Sequence, residues 1–301
     1  MSGRPLISVI IPNHNYGGYL AQAIESVLAQ TCRPLDVVVV DDGSTDHSRE
    51  VLRGYEGRLR VVCQPRQGVS AARNRGVRES RGELVAFLDA DDVWLPDKLA
   101  RQAQRLRAEP ALGLVHCGAQ LIDPTGRVLR DVTDGVAGEV TRDLLLFRRS
   151  GVVTGGSGML LSREVFEEAG GFDTRLSTSA DWDFFFRVGR RRPFGFIPEP
   201  LVQMRMHRAN MRSNIQAMEH DMLLAFEHAF RAAGPELRRL RRACYGHLHL
   251  VLAGSFFQAG QPLPCLRHLL ASLWRTPGAS VRLAGWPVRW AKRRLADART
   301  P

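Results

Sequence analysis

Cysteine is scarce and poorly spaced for any shared task. Cys32, Cys63, Cys117, Cys244 and Cys265 are odd in number and widely scattered. That excludes a disulfide framework and a metal knuckle, and makes a reducing cytosol the expected compartment. Long hydrophobic runs are also missing. No stretch reaches the roughly 18 apolar residues that a spanning helix needs. The nearest, CYGHLHLVLAGSFF, is broken by His247 and His249. Met1–Pro5 carries one charge and no apolar core, so no secretory signal is expected there. Acid is nearly absent from the last part of the chain. From Pro235 to Pro301 there are 12 Lys and Arg against only Glu236 and Asp297. The remainder of the chain, with 30 basic and 29 acidic residues, is close to neutral. Such asymmetry points to a polyanionic partner for the tail.

What is present suits a folded protein. The chain has 301 residues, 44% of them hydrophobic, enough for one large domain and a smaller appendage. Its first half alternates strand and helix signals. LISVIIP, LDVVVVDD, LRVVCQ, ELVAFLDADD and LGLVHCGAQLI read as strands, and LDVVVVDD is a run of the kind buried on both faces. Between them, Tyr19–Ala29, STDHSREVLRGY (capped by Ser44 or Thr45), VSAARNRGVRES and PDKLARQAQRLRAE carry helical spacing. Repeated units of this length predict a mostly parallel sheet with helices on both faces. Further on, Pro124–Gly126 reads as a turn within a hairpin. Gly155–Gly158 reads as a flexible loop before the strand MLLS. Ser179–Arg190 is expected as a helix, PLVQMRMH as a last strand, and the chain from about Ser213 as helical.

Ligands of parallel α/β sheets bind beyond the carboxyl ends of the strands, and three such ends are unusually polar here. The first runs into Pro12, Asn13, His14 and Asn15. The second ends in Asp41, Asp42, Gly43 and Ser44. The fourth ends in Asp89, Ala90, Asp91 and Asp92. Carboxylates brought to one sheet edge repel each other unless a cation or hydrogen-bond donors compensate. A hard divalent ion, shared with phosphate oxygens, meets that need.

These motifs resemble a known family. SVIIPNHNYGGYLAQAIESVLAQT, VVVVDDGSTD, GVSAARNRG and FLDADD occur in that order, followed by GGFDTRLSTSADWDFFFRV and MRMHRAN. The set is similar to glycosyltransferase family 2 over residues 6–212. The resemblance implies an α/β GT-A fold, a nucleotide-diphospho-sugar transferase fold with a mostly parallel central sheet. It gives a catalytic domain over 1–212, with nucleotide-sugar binding at about 1–120 and the acceptor side at about 121–212. A helical, basic C-terminal region follows over 213–301. The implied activity is inverting transfer of a sugar, UDP-sugar favoured, to a glycan or lipid-linked hydroxyl. A sugar-phosphate nucleotidyltransferase and a non-catalytic sugar-nucleotide-binding module are the alternatives.

The same resemblance assigns roles. Asp42 would bond the base, with Asp41, Pro12, Asn13 and Asn15 nearby, and Arg73 and Asn74 beside the nucleotide. Asp89 would face the ribose. Asp91, or Asp92 one residue later, would bind Mg2+ or Mn2+. His207 would join the metal or donate to a phosphate. Asp181 would be the catalytic base and Trp182 an acceptor platform, with Ala180 standing where many relatives carry Glu. Simpler structural roles compete: Asp41, Asp42, Asp181 and Asp183 also suit helix N-termini, and Trp182 suits a core anchor. For the tail, the clusters Arg238, Arg239, Arg241, Arg242 and Arg289, Lys292, Arg293, Arg294 (beside Trp286 and Trp290) predict contact with an anionic membrane surface. Nucleic acid is an unlikely partner on this pattern. The expected location is cytoplasmic, peripheral on the inner membrane face.

Overall fold

The computed structural model describes residues 6–147, 151–207 and 214–277. It divides into two compact units, the first formed by 1–144 and 148–225, the second by 145–147 and 226–301. The first therefore runs past the boundary at 212 expected from the motifs, and the division falls inside a helix. The second tail cluster, from Trp286 to Leu295, lies outside the described residues.

The first unit is built on one nine-stranded sheet. In chain order its elements are β1 (Ile7–Asn13), α1 (Gly17–Leu28), β2 (Leu35–Asp42), α2 (Ser48–Arg53), β3 (Arg60–Gln64), α3 (Val69–Glu79), β4 (Leu84–Phe87), β5 (Val93–Trp94) and α4 (Lys98–Ala108). There follow β6 (Leu114–Ile122), β7 (Val128–Val132), α5 (Thr141–Leu146), a 3-10 turn (Gly155–Gly158), β8 (Leu160–Ser162), α6 (Arg163–Glu168), α7 (Ala180–Gly189), β9 (Phe194–Arg205) and α8 (Ile215–Arg231).

The strand order is β3-β2-β1-β4-β8-β6-β9-β5, with β7 paired to β6. β1 is parallel to β2 and β4, and β2 to β3, as βαβ crossovers require. β8 then runs antiparallel to both β4 and β6. β1 and β2 are buried on both faces: Ile7–Asn13 and Val37–Asp42 are all buried. Alternate side chains feed separate cores. Val9 and Ile11 pack with Leu20, Ile24 and Val39 under α1, while Ile10 packs with Phe87, Leu161 and Phe184. The connection from β1 to β2 leaves on one side and that leading to β4 on the other. This makes the crevice at the carboxyl ends of β1, β2 and β4 the natural ligand site.

Most expected elements form, with differences of local origin. α2 starts at Ser48, not at the anticipated cap, because Thr45 and Asp46 turn their backbone N–H groups to the Asn15 side chain. The Gly155–Gly158 segment is a buried 3-10 turn instead of a flexible loop; Gly156, Ser157 and Gly158 are all buried beside β4. β9 begins at Phe194, six residues before the expected strand, where it pairs with β6.

In the second unit, α9 (Pro235–Gln258) and α10 (Pro262–Arg275) pack together. Pro stands in the first turn of each, where its missing N–H is not needed. Cys244, Leu248, Leu252 and Phe256 of α9 are buried, as are Cys265, His268 and Ser272 of α10. His249 Nδ1 meets His268 Nδ1 at 2.8 Å, and Arg242 donates to the carbonyls of Trp274 and Arg275 at the end of α10. All five cysteines are free thiols. Among the described residues, no helix is long and apolar enough to cross a membrane.

Candidate active site

A cleft of about 510 Å³ opens at the carboxyl ends of β1, β2 and β4. That lies within the size range of small-molecule sites. Three loops form its nucleotide-sized wall, and their polar side chains are committed to one another. Asn13 Nδ2 donates to Asp41 Oδ1 (3.2 Å) and Ser44 Oγ (3.0 Å), and Asn15 N donates to the same Ser44 Oγ (3.0 Å). Asn15 holds a positive φ of 60°, which Asn tolerates better than most residues. Asp42 gathers the loop after β3: its carboxylate accepts from Gln67 N, Gly68 N and Gln64 Nε2, each at 2.8 Å. Gly43, at φ 72°, is needed here, since a Cβ would stand 2.9 Å from Arg66 N. Asp42 accepts three bonds and a carboxylate offers about four sites, so one site remains for a ligand N–H.

The floor is set by a buried cation. Arg73, on α3, is 2% exposed. Its Nη1 donates to Asp181 Oδ1 at 2.5 Å and its Nη2 to Asp89 Oδ1 at 2.7 Å, and its guanidinium lies 5.1 Å from the Phe172 ring centre. Burial works against the charge on Arg73, yet Asp181 and Asp89 more than offset it and hold the group more basic than usual. Asp181 sits in the first turn of α7, with its second oxygen accepting from Gly156 N at 2.8 Å. A Cβ at Gly156 would stand 2.6 Å from Arg73 Nη2, so a side chain there would displace the guanidinium from this arrangement. Burial raises the Asp181 pKa, Arg73 pulls it back, and Asp89 raises it again; the net direction is upward. The loop before α7 is pinned by Asp221 of α8, which accepts from Ser177 N (2.7 Å), Ser179 N (3.2 Å) and the hydroxyls of Ser177 and Thr178.

Opposite Arg73 the charge is negative. Asp91 Oδ2 lies 3.0 Å from His207 Nε2, and His207 stacks on Tyr19 at 5.2 Å between ring centres. Burial and the neighbouring Asp89 raise the Asp91 pKa, while His207 lowers it in part. Asp92 is raised further, by burial and by Asp91 and Asp89. The Tyr16 phenol is pushed above its usual range by burial and by Asp91, Asp89 and Asp92. Three carboxylates in one place thus leave an excess of negative potential that a cation would relieve. Hard oxygen donors with one imidazole are a suitable set for Mg2+ or Mn2+. Among the described residues, no three acidic, His or Cys side chains form a ready cluster. Such an ion would therefore rest on Asp91 and His207 and complete its shell with phosphate and water.

Asp92 lines the cleft and also supports it: Oδ2 accepts from Ser157 Oγ at 2.6 Å and Oδ1 from Arg205 N at 2.9 Å. Several other expected site residues turn elsewhere. Asp41 is fully buried and faces Asn13 and Arg49 (3.4 Å), away from the cleft wall that Asp42 lines. Adjacent strand residues point to opposite faces, which is how Asp41 comes to face away while Asp42 lines the wall. Asn74 exchanges two bonds with the Phe172 backbone, at 2.8 and 2.9 Å, and does not line the cleft. Trp182 also lies off the cleft. It stacks on Phe186 at 5.6 Å and donates to Leu144 O at 3.3 Å, one helical step round from Asp181. Asp183 pairs with Arg187 at 2.8 Å within α7. Pro12, Asn13, Asn15, Asp42, Arg73, Asp89, Asp91, Asp92 and Asp181 do line the cleft, and His207 stands behind Asp91.

Other wall and support residues were not singled out from the sequence. Arg205 lay within the quoted MRMHRAN motif; its Nε donates to Asp91 O at 3.0 Å and its Nη2 to Gln22 Oε1 at 2.6 Å. Tyr16 and Ser157 also stood inside or beside quoted segments. Asp221, in an ordinary helical stretch, carried no local signal.

Comparison with known proteins agrees with this geometry. The family model "Glycosyl transferase family 2" matches residues 8–170, more than half of the chain. An uncharacterised glycosyltransferase of Nostoc sp. is 34% identical over 212 residues, covering 68% of this chain and 66% of its own. Chondroitin synthase of Escherichia coli is 27% identical over 240 residues, covering 78% of this chain and 33% of its own. The chain thus spans no more than about two thirds of the length of these relatives. Among solved structures, the mannosyltransferase PcManGT from Pyrobaculum calidifontis, in complex with GDP-Man and Mn2+, superposes with a TM-score of 0.63 at 22% identity, over 98% of this chain and 85% of that one. The fold is therefore that of the GT-A glycosyltransferases. The chain belongs to glycosyltransferase family 2.

The two-point amide clasp of Asn74 on Phe172 yields a direct test. Asn74→Ala should lower stability by about 1–3 kcal/mol, read as a lower urea midpoint. Nucleoside diphosphate affinity should stay within about twofold, because the side chain makes structural bonds only. Lost affinity at unchanged stability would return Asn74 to the binding set.

Proposed function

We infer that the cleft transfers a sugar from a nucleoside diphosphate donor to an acceptor hydroxyl, with inversion at the anomeric carbon. The observation that carries this reading is the Asp89–Arg73–Asp181 bridge across the floor of a cleft whose other side is Asp91 with His207. Asp42 accepts from the base through its remaining site. The Pro12–Asn15 loop packs along the nucleoside, and Asp89 holds the ribose with the oxygen that Arg73 leaves free. A divalent cation, Mg2+ or Mn2+, on Asp91 and His207 would neutralise charge on the departing nucleoside diphosphate.

Asp181 is the base in this reading. Its two oxygens each accept one protein hydrogen bond, which leaves each with a second lone pair. Its side chain is 25% exposed, so a hydroxyl can reach it. Partial burial makes it a better proton acceptor than a solvated carboxylate, while Arg73 favours its ionised form. The acceptor O–H gives its proton to Asp181 as its oxygen bonds to the anomeric carbon. The bond from that carbon to the diphosphate oxygen breaks on the opposite face, and the nucleoside diphosphate leaves. A single displacement of this kind inverts the centre.

A UDP-sugar is the preference from the sequence, while the Pyrobaculum enzyme holds GDP-Man. Polysaccharide assembly, the business of chondroitin synthase by its name, is the biological setting we favour, with a glycan or lipid-linked acceptor.

Two variants and a product assay test the reading. Turnover should release nucleoside diphosphate; pyrophosphate instead would overturn it. Asp181→Asn, nearly isosteric, should preserve donor affinity and reduce kcat by about 10²–10⁴-fold. A loss confined to KM would leave Asp181 only a positioning role. Asp91→Ala should abolish the metal-dependent part of nucleoside diphosphate binding, measured by calorimetry with and without Mn2+. Metal-dependent binding equal to that of the parent would remove Asp91 from the metal site.

A further inference from the structure

α10 carries an apolar ridge that, among the described residues, stays exposed. Leu263, Leu266, Leu270 and Trp274 are spaced three, four and four residues apart, so they share one helix face. Their exposures are 79%, 53%, 59% and 73%. The opposite face, with Cys265, His268 and Ser272, is the one packed inward. Scattered exposed leucines are ordinary on protein surfaces; a continuous stripe of three ending in an exposed Trp marks an interaction surface.

The charges around the ridge identify what it meets. From Leu237 to Pro277 the chain has Arg238, Arg239, Arg241, Arg242, Arg267 and Arg275, and no acidic residue. Arg267 lies within the ridge's own face, one turn after Leu263. Arg242 and Arg275 flank Trp274, their guanidinium carbons 5.9 and 5.3 Å from its ring centre. A protein partner of mixed charge would find no basic–acidic alternation here. A surface with apolar depth and anionic headgroups matches every feature: leucines enter the acyl boundary, Trp sits at headgroup level and Arg stems lie along the apolar surface with their heads in the anionic layer. We propose that this face of α10 docks the protein onto an anionic lipid bilayer. The assignment does not depend on the reaction in the cleft, and it adds a defined helix face to the contact expected from the two basic clusters.

The test uses the full chain and sedimentation with vesicles of phosphatidylcholine alone or mixed with phosphatidylglycerol. The unchanged chain should bind the mixed vesicles, lose binding as salt rises, and bind the neutral ones poorly. The double substitution Leu266→Asp with Leu270→Asp should weaken binding by about tenfold or more, given what a buried leucine contributes. Trp274→Ala should weaken it less, and neither should shift the melting temperature, because the side chains are exposed. The variants retain every basic residue of the tail. Equal binding by the double variant and the parent would therefore overturn the assignment, as would absence of binding by the parent. A parent dimer that the double variant dissolves, with no vesicle binding, would give the ridge to a second copy and overturn it equally.

Discussion

Arg73 is a permanent positive charge shut inside the protein, and such a charge is tolerable only when fully paired. Its two partners come from distant parts of the chain: Asp89 from the loop after β4 and Asp181 from the first turn of α7. The guanidinium therefore fixes how α3, the sheet edge and α7 meet. Gly156 follows from it, since the backbone must pass within reach of both Arg73 and Asp181 without a side chain. So does the Phe172 ring beneath the guanidinium, which Asn74 holds by its backbone. Removing one partner of a buried pair typically costs about 3–5 kcal/mol, because the other charge is stranded. The same three groups that close the core thus also present two carboxylates to the cleft, each with an oxygen in reach of a ligand.

The negative side of the cleft has the opposite character. Asp89, Asp91 and Asp92 repel one another and also raise the Tyr16 phenol, and protein donors relieve only part of this. Asp92 is satisfied by Ser157 and the backbone of Arg205, and in that way the loop is locked to β9. Asp91 meets His207 at 3.0 Å. Both acids line the cleft, and Asp92 in addition holds the loop. A donor's diphosphate would bring still more negative charge, which is why a cation at Asp91 suits the site.

The sheet was legible because its strands are buried on both faces and their apolar runs are unbroken. The site's main acids were legible because they stand at strand ends or at a helix start. What the sequence withheld was side-chain direction. Asp41 and Asp42 read alike, yet the pleat sends only Asp42 to the cleft. Arg73 and Asn74 are neighbours on a helix, and about 100° of rotation per residue separates a cleft residue from a clasp on Phe172. Asp181 and Trp182 divide in the same way. Asp221 was invisible, since its four bonds form across 42 to 44 residues of chain and no local pattern announces them. The Gly155–Gly158 run looked like a flexible loop; it is an ordered turn in which Gly156 allows close approach to Arg73 and Gly155 takes a positive φ of 50°.

The central claim is that Arg73 holds Asp181 ionised and in place. It is tested most directly by the pH dependence of kcat in Arg73→Gln and Arg73→Lys. Arg73 lowers the Asp181 pKa against burial, so removing the charge must raise it. In Arg73→Gln the acid limb of the profile should move to higher pH, with kcat reduced. Arg73→Lys, which keeps the charge but not the two-point geometry, should lose kcat with a much smaller movement of that limb. An acid limb in Arg73→Gln that overlies the parent's, at undiminished kcat, would contradict the account.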